Sequence, residues 1–311
     1  MRKAWIDERV KYVLEHGNWI IRADWNGVSH NGFKWNPVGV WTEAPDWNPE
    51  PKCGNGLHGQ DKDHGDYIVG NRLLFCETDG PHINLGDKVK VKRARILLVN
   101  KLPEGLVVNG DLCLESTNIK SIPKGLKVGG WLDLKEINIK SIPEDLEVKR
   151  YVDLRDTKLK TLPKKLLGIG GISLRHPTID PLPNDLIIKG FLDISYSNIK
   201  SLPKGLTVGG DLSAEFSPLK SLPTGLNVVG AVDLFNSEVE SLSDNIVIGG
   251  DLDLRHTCIK TLPKDLTVGG KIMLEYSDLK TIPIELEAGG DICYYDGGKV
   301  KREKNLDRRK S

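Results

Sequence analysis

The residue types best able to do chemistry gather in Cys53-Gly54-Asn55-Gly56-Leu57-His58-Gly59. Glycines there would let backbone approach a ligand closely, and a histidine that titrates near neutral pH could act as acid or base. His30, His58 and Glu77 are the catalytic candidates, and with Arg22 they would suit a nucleotide pocket. A cysteine and a histidine five apart, with no Ser or Asp partner placed by sequence, favour a structural turn over nucleophilic catalysis. Cys53, His58, His64 and Cys76 are possible zinc ligands, but their spacings match no tight pair such as C-x-x-C. Neither a metal nor a cofactor is expected.

The elements that would hold these groups divide the chain by composition. Of seven tryptophans, Trp5, Trp19, Trp25, Trp35, Trp41 and Trp47 fall in the first 50 residues, whereas later residues are a monotonous mixture of Leu, Ile, Val, Gly, Lys and Asp. We expect a head at 1–100, a repeat body at 101–296 and a basic, flexible tail at 297–311. With 44 Lys and Arg against 43 Asp and Glu, net charge gives no general attraction to nucleic acid or anionic membrane. Five scattered cysteines do not suggest a disulfide framework. No apolar run is long enough to span a bilayer, and the charged N-terminus is unlike a signal peptide. A soluble, cytoplasmic protein is expected.

The repeat is strict. Leu102-Pro103, Ile122-Pro123, Ile142-Pro143, Leu162-Pro163, Leu182-Pro183, Leu202-Pro203, Leu222-Pro223, Leu262-Pro263 and Ile282-Pro283 recur at 20-residue intervals, with Leu242-Ser243 at the remaining step. Numbering each unit from the residue before that Leu or Ile, positions 2, 6, 8, 12, 14 and 19 are apolar, and position 10 is Gly except at Arg150. The spacing 6, 8, 12, 14 is two short runs of period two, which means strands with one buried face. Glycine between the runs marks a bend, or a contact with no room for a Cβ, and proline punctuates the loop into the next unit. One coil cannot bury its own apolar face, so about ten must stack in parallel to share a core. The fold expected is mainly β: a parallel solenoid with a small N-terminal α+β domain.

Leu252-Asp253-Leu254-Arg255-His256-Thr257-Cys258-Ile259-Lys260-Thr261-Leu262-Pro263 resembles the leucine-rich repeat, especially its short bacterial form with a Leu-Pro step. That resemblance covers about 190 residues and implies a right-handed solenoid whose sheet face binds other macromolecules. A second resemblance lies in the head, in Ser29-His30-Asn31-Gly32-Phe33-Lys34-Trp35, Ala44-Pro45-Asp46-Trp47, Cys53 to Gly59, and Gly86-Asp87-Lys88-Val89-Lys90. These blocks are similar to an N-terminal domain recurrent in bacteriophage and bacterial proteins. The similarity implies a phage or prophage accessory or counter-defence factor and brings no activity with it.

A ligand should be read by outward positions that vary. Positions 11, 13 and 15 alternate with buried 12 and 14, and among them Trp131, Tyr151, Phe191, Arg155 and Arg175 are the partner-binding candidates. Aromatics beside arginines are what protein interfaces favour. Aspartates at position 13 (Asp133, Asp153, Asp193, Asp233, Asp253) read as solvated surface acids, since no Gly/Asp-rich loop would converge them on calcium. Position 20 is lysine in seven of the first nine units, a ridge that could attract phosphate but more often keeps a repeat soluble.

In the head, Ile6, Val10, Val13 and Leu14 form one stripe of a helix ending at Gly17, followed by a strand from Trp19. Further strands are expected at 72–77 and 88–99, where Lys88, Lys90 and Lys92 alternate with Val89 and Val91. The function expected is noncatalytic binding of a protein partner through the solenoid face. The alternatives are a nucleotide-binding or ADP-ribosyltransferase-like head, and phosphate or nucleic-acid binding by the lysine ridge.

Overall fold

A computed structural model describes residues 2–29, 32–65, 68, 70–163, 169–175, 179, 181–280, 282–283, 286–296 and 299–303. The chain falls into two compact units, residues 1–158 and 159–311, and each is described by itself. The fold is mainly β, with one helix at the N-terminus and a parallel β-solenoid of about nine turns at 20-residue spacing.

The first unit opens with α1 (Arg2–His16), which buries Val13 completely. Gly17 ends it in the left-handed region (φ 73°), its amide donating to the Val13 carbonyl at 2.8 Å, the closure that a C-terminal glycine provides. Next come β1 (Trp19–Asp24), β2 (Trp41–Glu43), β3 (Leu57–Gly59), β4 (Arg72–Asp79), β5 (Ile83–Asn84), β6 (Val89–Val91) and β7 (Arg93–Val99). Antiparallel pairing gives one sheet in the order β1-β4-β7-β2 and another in the order β3-β6-β5. Ile20, Trp35, Leu57, Leu74, Cys76, Val89, Val91 and Ile96 form a common apolar core.

Lys62, Asp63 and Asn71 tie this head to the first coil within the same unit. The Asn109 amide donates to the Lys62 carbonyl at 2.5 Å, Asn109 Nδ2 to Asp63 Oδ1 at 2.7 Å, and the Asn118 amide to the Asn71 carbonyl at 2.7 Å. Asp61 fixes the Lys62 and Asp63 end of this tie, accepting from the Asp63 and His64 amides and meeting the rings of His64 and His82, each at 2.9 Å. Burial pushes the Asp61 carboxyl up, but hydrogen bonds from His82, the Asp63 amide and His64 outweigh it and hold it well below the usual carboxylate range.

The coils follow the repeat columns. In the first unit Lys127–Val128 pairs in parallel with Val107–Val108 and Glu147–Val148, and Leu132–Asp133 with Leu112–Cys113 and Val152–Asp153. In the second unit the same 20-residue step runs from Ile172–Ser173 to Ile292–Cys293 on one ladder and from Ile187–Ile188 to Glu287–Ala288 on the other. The apolar columns are the core: Leu106, Leu112, Leu114 and Ile119 are fully buried, as are Leu186, Leu192, Ile194 and Ile199. Glycine at position 10 is a matter of contact. A Cβ on Gly190 would lie 1.4 Å from the Gly170 carbonyl oxygen of the previous coil. Lys299–Glu303, part of the segment expected as a tail, forms a strand antiparallel to Ile292–Asp296.

Two readings of individual residues are corrected. Lys90 was placed on an outward face by alternation, yet it is 1% exposed, its Nζ donating to the Lys52 carbonyl at 2.9 Å and more loosely to that of Gly54 at 3.4 Å. The position 13 aspartates are less solvated than that: Asp133, Asp153 and Asp253 are buried, and Asp193 and Asp233 are partly buried. Each strand there is only two residues long, so the carboxylate folds back to accept the amide two residues on, as Asp153 does from Arg155 at 3.0 Å and Asp253 from Arg255 at 2.9 Å.

Candidate functional site

Described coils turn between positions 14 and 17, where the amide of position 17 donates to the carbonyl of position 14, as Thr117 does to Leu114 and Ser237 to Leu234. A buried hydroxyl at position 17 donates to the same carbonyl: Thr157 Oγ1 to Leu154 at 2.8 Å, Ser217 Oγ to Ala214 at 2.7 Å, Thr257 Oγ1 to Leu254 at 2.6 Å. Position 16 must then adopt positive φ, between 50° and 61° from Ser116 to Tyr276 in the described coils. Glycine or asparagine suits such a residue, and a bulky ring does not.

The second unit nevertheless puts rings there. Tyr196 stacks on Phe216 with centroids 4.8 Å apart, Phe216 meets Phe235 at 5.6 Å, Phe235 meets His256 at 5.3 Å, and His256 stacks on Tyr276 at 4.7 Å. Phe235 belongs to position 15 and continues the row where position 16 is Asn236. Tyr196, Phe216 and Tyr276 remain 42%, 39% and 62% exposed. Beside the row, Arg175 Nε donates to Asp193 Oδ2 at 2.8 Å and Arg255 Nη2 to Asp253 Oδ2 at 2.5 Å, and both guanidinium groups lie near rings of the row, Tyr196 and Phe235. Burial raises the Glu215 carboxyl, and a hydrogen bond with Asp233 and that group's charge raise it further. Alternation singles out positions 11, 13 and 15 and does not reach position 16, which lies beyond the strand. The row's only signal was the recurrence of Tyr196, Phe216, His256 and Tyr276 in one column of the repeat, interrupted at Asn236.

Of the sequence candidates, Trp131 and Tyr151 do meet in the first unit, ring centroids 5.6 Å apart, both half-buried. Arg155 grips Asp153 of its own coil through Nε and Nη2. Arg175 and Phe191 belong to the second unit, where Phe191 covers Gly171: a Cβ there would be 2.6 Å from its ring. In the lysine column, Lys220 pairs with Glu238 at 2.9 Å and Glu240 at 3.3 Å.

In the head, strand pairing separates the catalytic candidates. Trp19 is opposite Glu77 and Arg22 opposite Leu74, so Arg22 and Glu77 project from opposite faces of the β1-β4 pair. Glu77 is held there by Arg9 of α1 and by Arg95 Nε at 2.6 Å. Arg22 lies near His58 instead, its Nη1 donating to the His58 carbonyl at 3.3 Å. His30 lies outside the described residues. The zinc set is not assembled: Cys53 is exposed, Cys76 is buried in the core with its thiol pushed up to about 12 by burial, and His64 meets Asp61. Among the described residues Cys113, Glu115 and Asp133 do bring their ligand atoms within 4.8 Å of one another. Lys135 Nζ already holds Glu115 at 2.7 Å, and burial raises both the Asp133 carboxyl and the Cys113 thiol, the latter to about 11, which disfavours the anionic forms a metal would need.

No family model, curated protein or solved structure matches the chain. Among the described residues no helix is long and apolar enough to cross a membrane.

Proposed function

We propose that the protein is a noncatalytic scaffold that binds a protein partner along the aromatic row of its second unit. The observation that carries this reading is the unbroken contact of Tyr196, Phe216, Phe235, His256 and Tyr276 over five successive coils, with large rings left open to solvent. The fold does not ask for rings at position 16, because Ser116, Glu136, Asp156 and Asn236 make the same turn. Non-glycine residues at positive φ carry a strain of about 1 kcal/mol, and an exposed aromatic strip is what partner surfaces offer. A protein suits the row better than nucleic acid: Arg175 and Arg255 are already bound by carboxylates, and Glu215 and Glu275 add negative charge to the same turns. Binding through a repeated face agrees with the resemblance to leucine-rich repeats, and the head's resemblance points to an accessory role in a phage or prophage setting.

Asparagine tolerates positive φ, so the double substitution Phe216→Asn, Tyr276→Asn removes rings while keeping the turn. Partners captured by the wild-type chain are expected to be lost by this variant and kept when Trp131, Tyr151 and Arg155 are changed to alanine. The opposite result would move the site to the first unit. Capture indifferent to both sets would dismiss binding through either surface.

A further inference from the structure

The head holds two enclosed cations, Arg22 and Lys90, that no described carboxylate pairs, with Lys88 nearby on Asp87 at 3.5 Å. His58 and Lys90 face each other directly across β3 and β6, and Arg22 reaches the His58 carbonyl from β1. Burial, and then the charges of Arg22, Lys88 and Lys90, hold the His58 ring below its ordinary range, with the charge of Asp46 acting the other way. Asp24, on the same strand as Arg22, is taken by Arg72, which it accepts through both oxygens at 2.8 and 2.7 Å. Neither Arg22 nor Lys90 has a carboxylate within ion-pair distance among the described residues. Lys90 has only the backbone carbonyls of the 52–54 loop.

Arg22 is built in place. Its guanidinium lies 4.6 Å from the centroid of the Trp35 ring, its Nη2 donates to Ser29 Oγ at 3.0 Å, and Trp35 Nε1 donates to the same hydroxyl at 3.3 Å. Two of its three nitrogens thus serve neutral acceptors. The third, Nε, is buried and has no partner, and the same is true of His58 Nε2. An enclosed guanidinium without a counter-charge is costly, and so is each unmet polar atom. An oxyanion would answer both deficits, with the Arg22 Nε–H and the His58 Nε2–H as donors and Lys88 and Lys90 as flanking charge. β3 can run this close to β1 because Gly59 has no side chain: a Cβ there would lie 2.8 Å from the Ile21 carbonyl oxygen.

We infer that Arg22, Ser29, His58 and Lys90 form a binding site for a phosphate group, distinct from the aromatic row and independent of its function. Among the described residues Arg22 and Lys90 lack a carboxylate partner and Lys88 is paired only with Asp87 at 3.5 Å, a surplus of positive charge that suits a dianion better than a carboxylate ligand. The site assigns no reaction, because Glu77 stands on the far face of the sheet.

The test follows the His58 ring by NMR in the full chain at pH 7.5, titrating inorganic phosphate or adenosine monophosphate against sodium chloride of equal ionic strength. Saturable movement of the His58 resonance with phosphate, absent with chloride, is expected, together with an upward shift of its titration midpoint, since a bound anion favours imidazolium. Arg22→Gln should weaken binding at least about tenfold, the loss of one charge-assisted hydrogen bond. If that variant does not fold, Lys90→Met with its resonances otherwise unmoved provides the same comparison. Tighter binding of adenosine monophosphate than of phosphate would point to an ester as the natural ligand, and equal binding to the free anion. A His58 ring that responds alike to phosphate and chloride, or a folded Arg22→Gln or Lys90→Met chain that binds as well as wild type, would overturn the site.

Discussion

The coils at 101–158 and those at 181–280 make one turn with two different surfaces. In both, a hydroxyl at position 17 closes on the carbonyl of position 14 and a residue at position 16 takes positive φ. In the first, that residue is Ser116, Glu136 or Asp156, and the neighbouring charges are balanced: Ser116 Oγ donates to Glu136 at 2.7 Å, and Lys135 pairs with Glu115. In the second, rings replace the polar residues, and the carboxyl at position 15, Glu215, faces Asp233 instead of an ammonium. Buried columns and turn geometry are shared, so the difference lies in what is displayed.

The comparison can be broken hardest at the glycine column, which the second region keeps throughout and the first breaks only at Arg150. Gly190→Ala puts a methyl into the Gly170 carbonyl and should destabilise the second unit by about 3 kcal/mol or more, read as a lowered urea midpoint. If it unfolds no more easily than wild type, coil spacing is looser than described. Next, Asp153→Ala and Asp253→Ala each remove a buried acceptor from an amide and from an arginine fork. Each should cost about 2 kcal/mol, and unequal losses would show that the aspartate serves the two regions differently.

A smaller effect sharpens the electrostatic contrast. The folded chain holds the Glu215 carboxyl above its ordinary 4.5, so it binds that proton more tightly than the unfolded chain. Stability from this group is therefore present at low pH and lost as pH rises through the folded value. Glu215→Gln should stabilise the protein at pH 7 and lose that advantage near pH 4, whereas Glu115→Gln, which breaks a pair with Lys135, should not stabilise at neutral pH. Thermal melts at the two pH values decide this. The smallest stability change is expected from Phe216→Asn, within about 1 kcal/mol of wild type, since lost ring contact offsets relieved backbone strain. A large loss would mean that the row is part of the core and not a display.

Much of the solenoid was legible because its cause repeats: the same aliphatic columns, and a glycine at position 10 in every coil but that of Arg150. Position 16 was not, because its requirement is a backbone angle that no side-chain pattern announces, and Ser, Glu, Asp, Tyr, Phe and His satisfy it alike. The position 13 aspartates were misread for a related reason. Alternation describes a long strand, and these end after two residues, so the side chain turns inward onto an amide. In the head, the Cys53 to Gly59 segment drew attention for its residue types, but Arg22 and Lys90 gained meaning only once pairing set them around His58. Alternation had also placed Lys90 outside, although nearby carbonyls could hold its ammonium within.

The carbonyl-to-amide contacts between coils, such as the Gly210 amide on Gly190 and the Gly230 amide on Gly210, give the body a fixed frame. Excising or duplicating one whole winding would leave every remaining rung facing an equivalent rung. Removing a few residues more or less would instead shift glycines onto side chains and aliphatics into water. Length in such a molecule is quantised, and evolution can adjust the reach of its display only in steps of twenty.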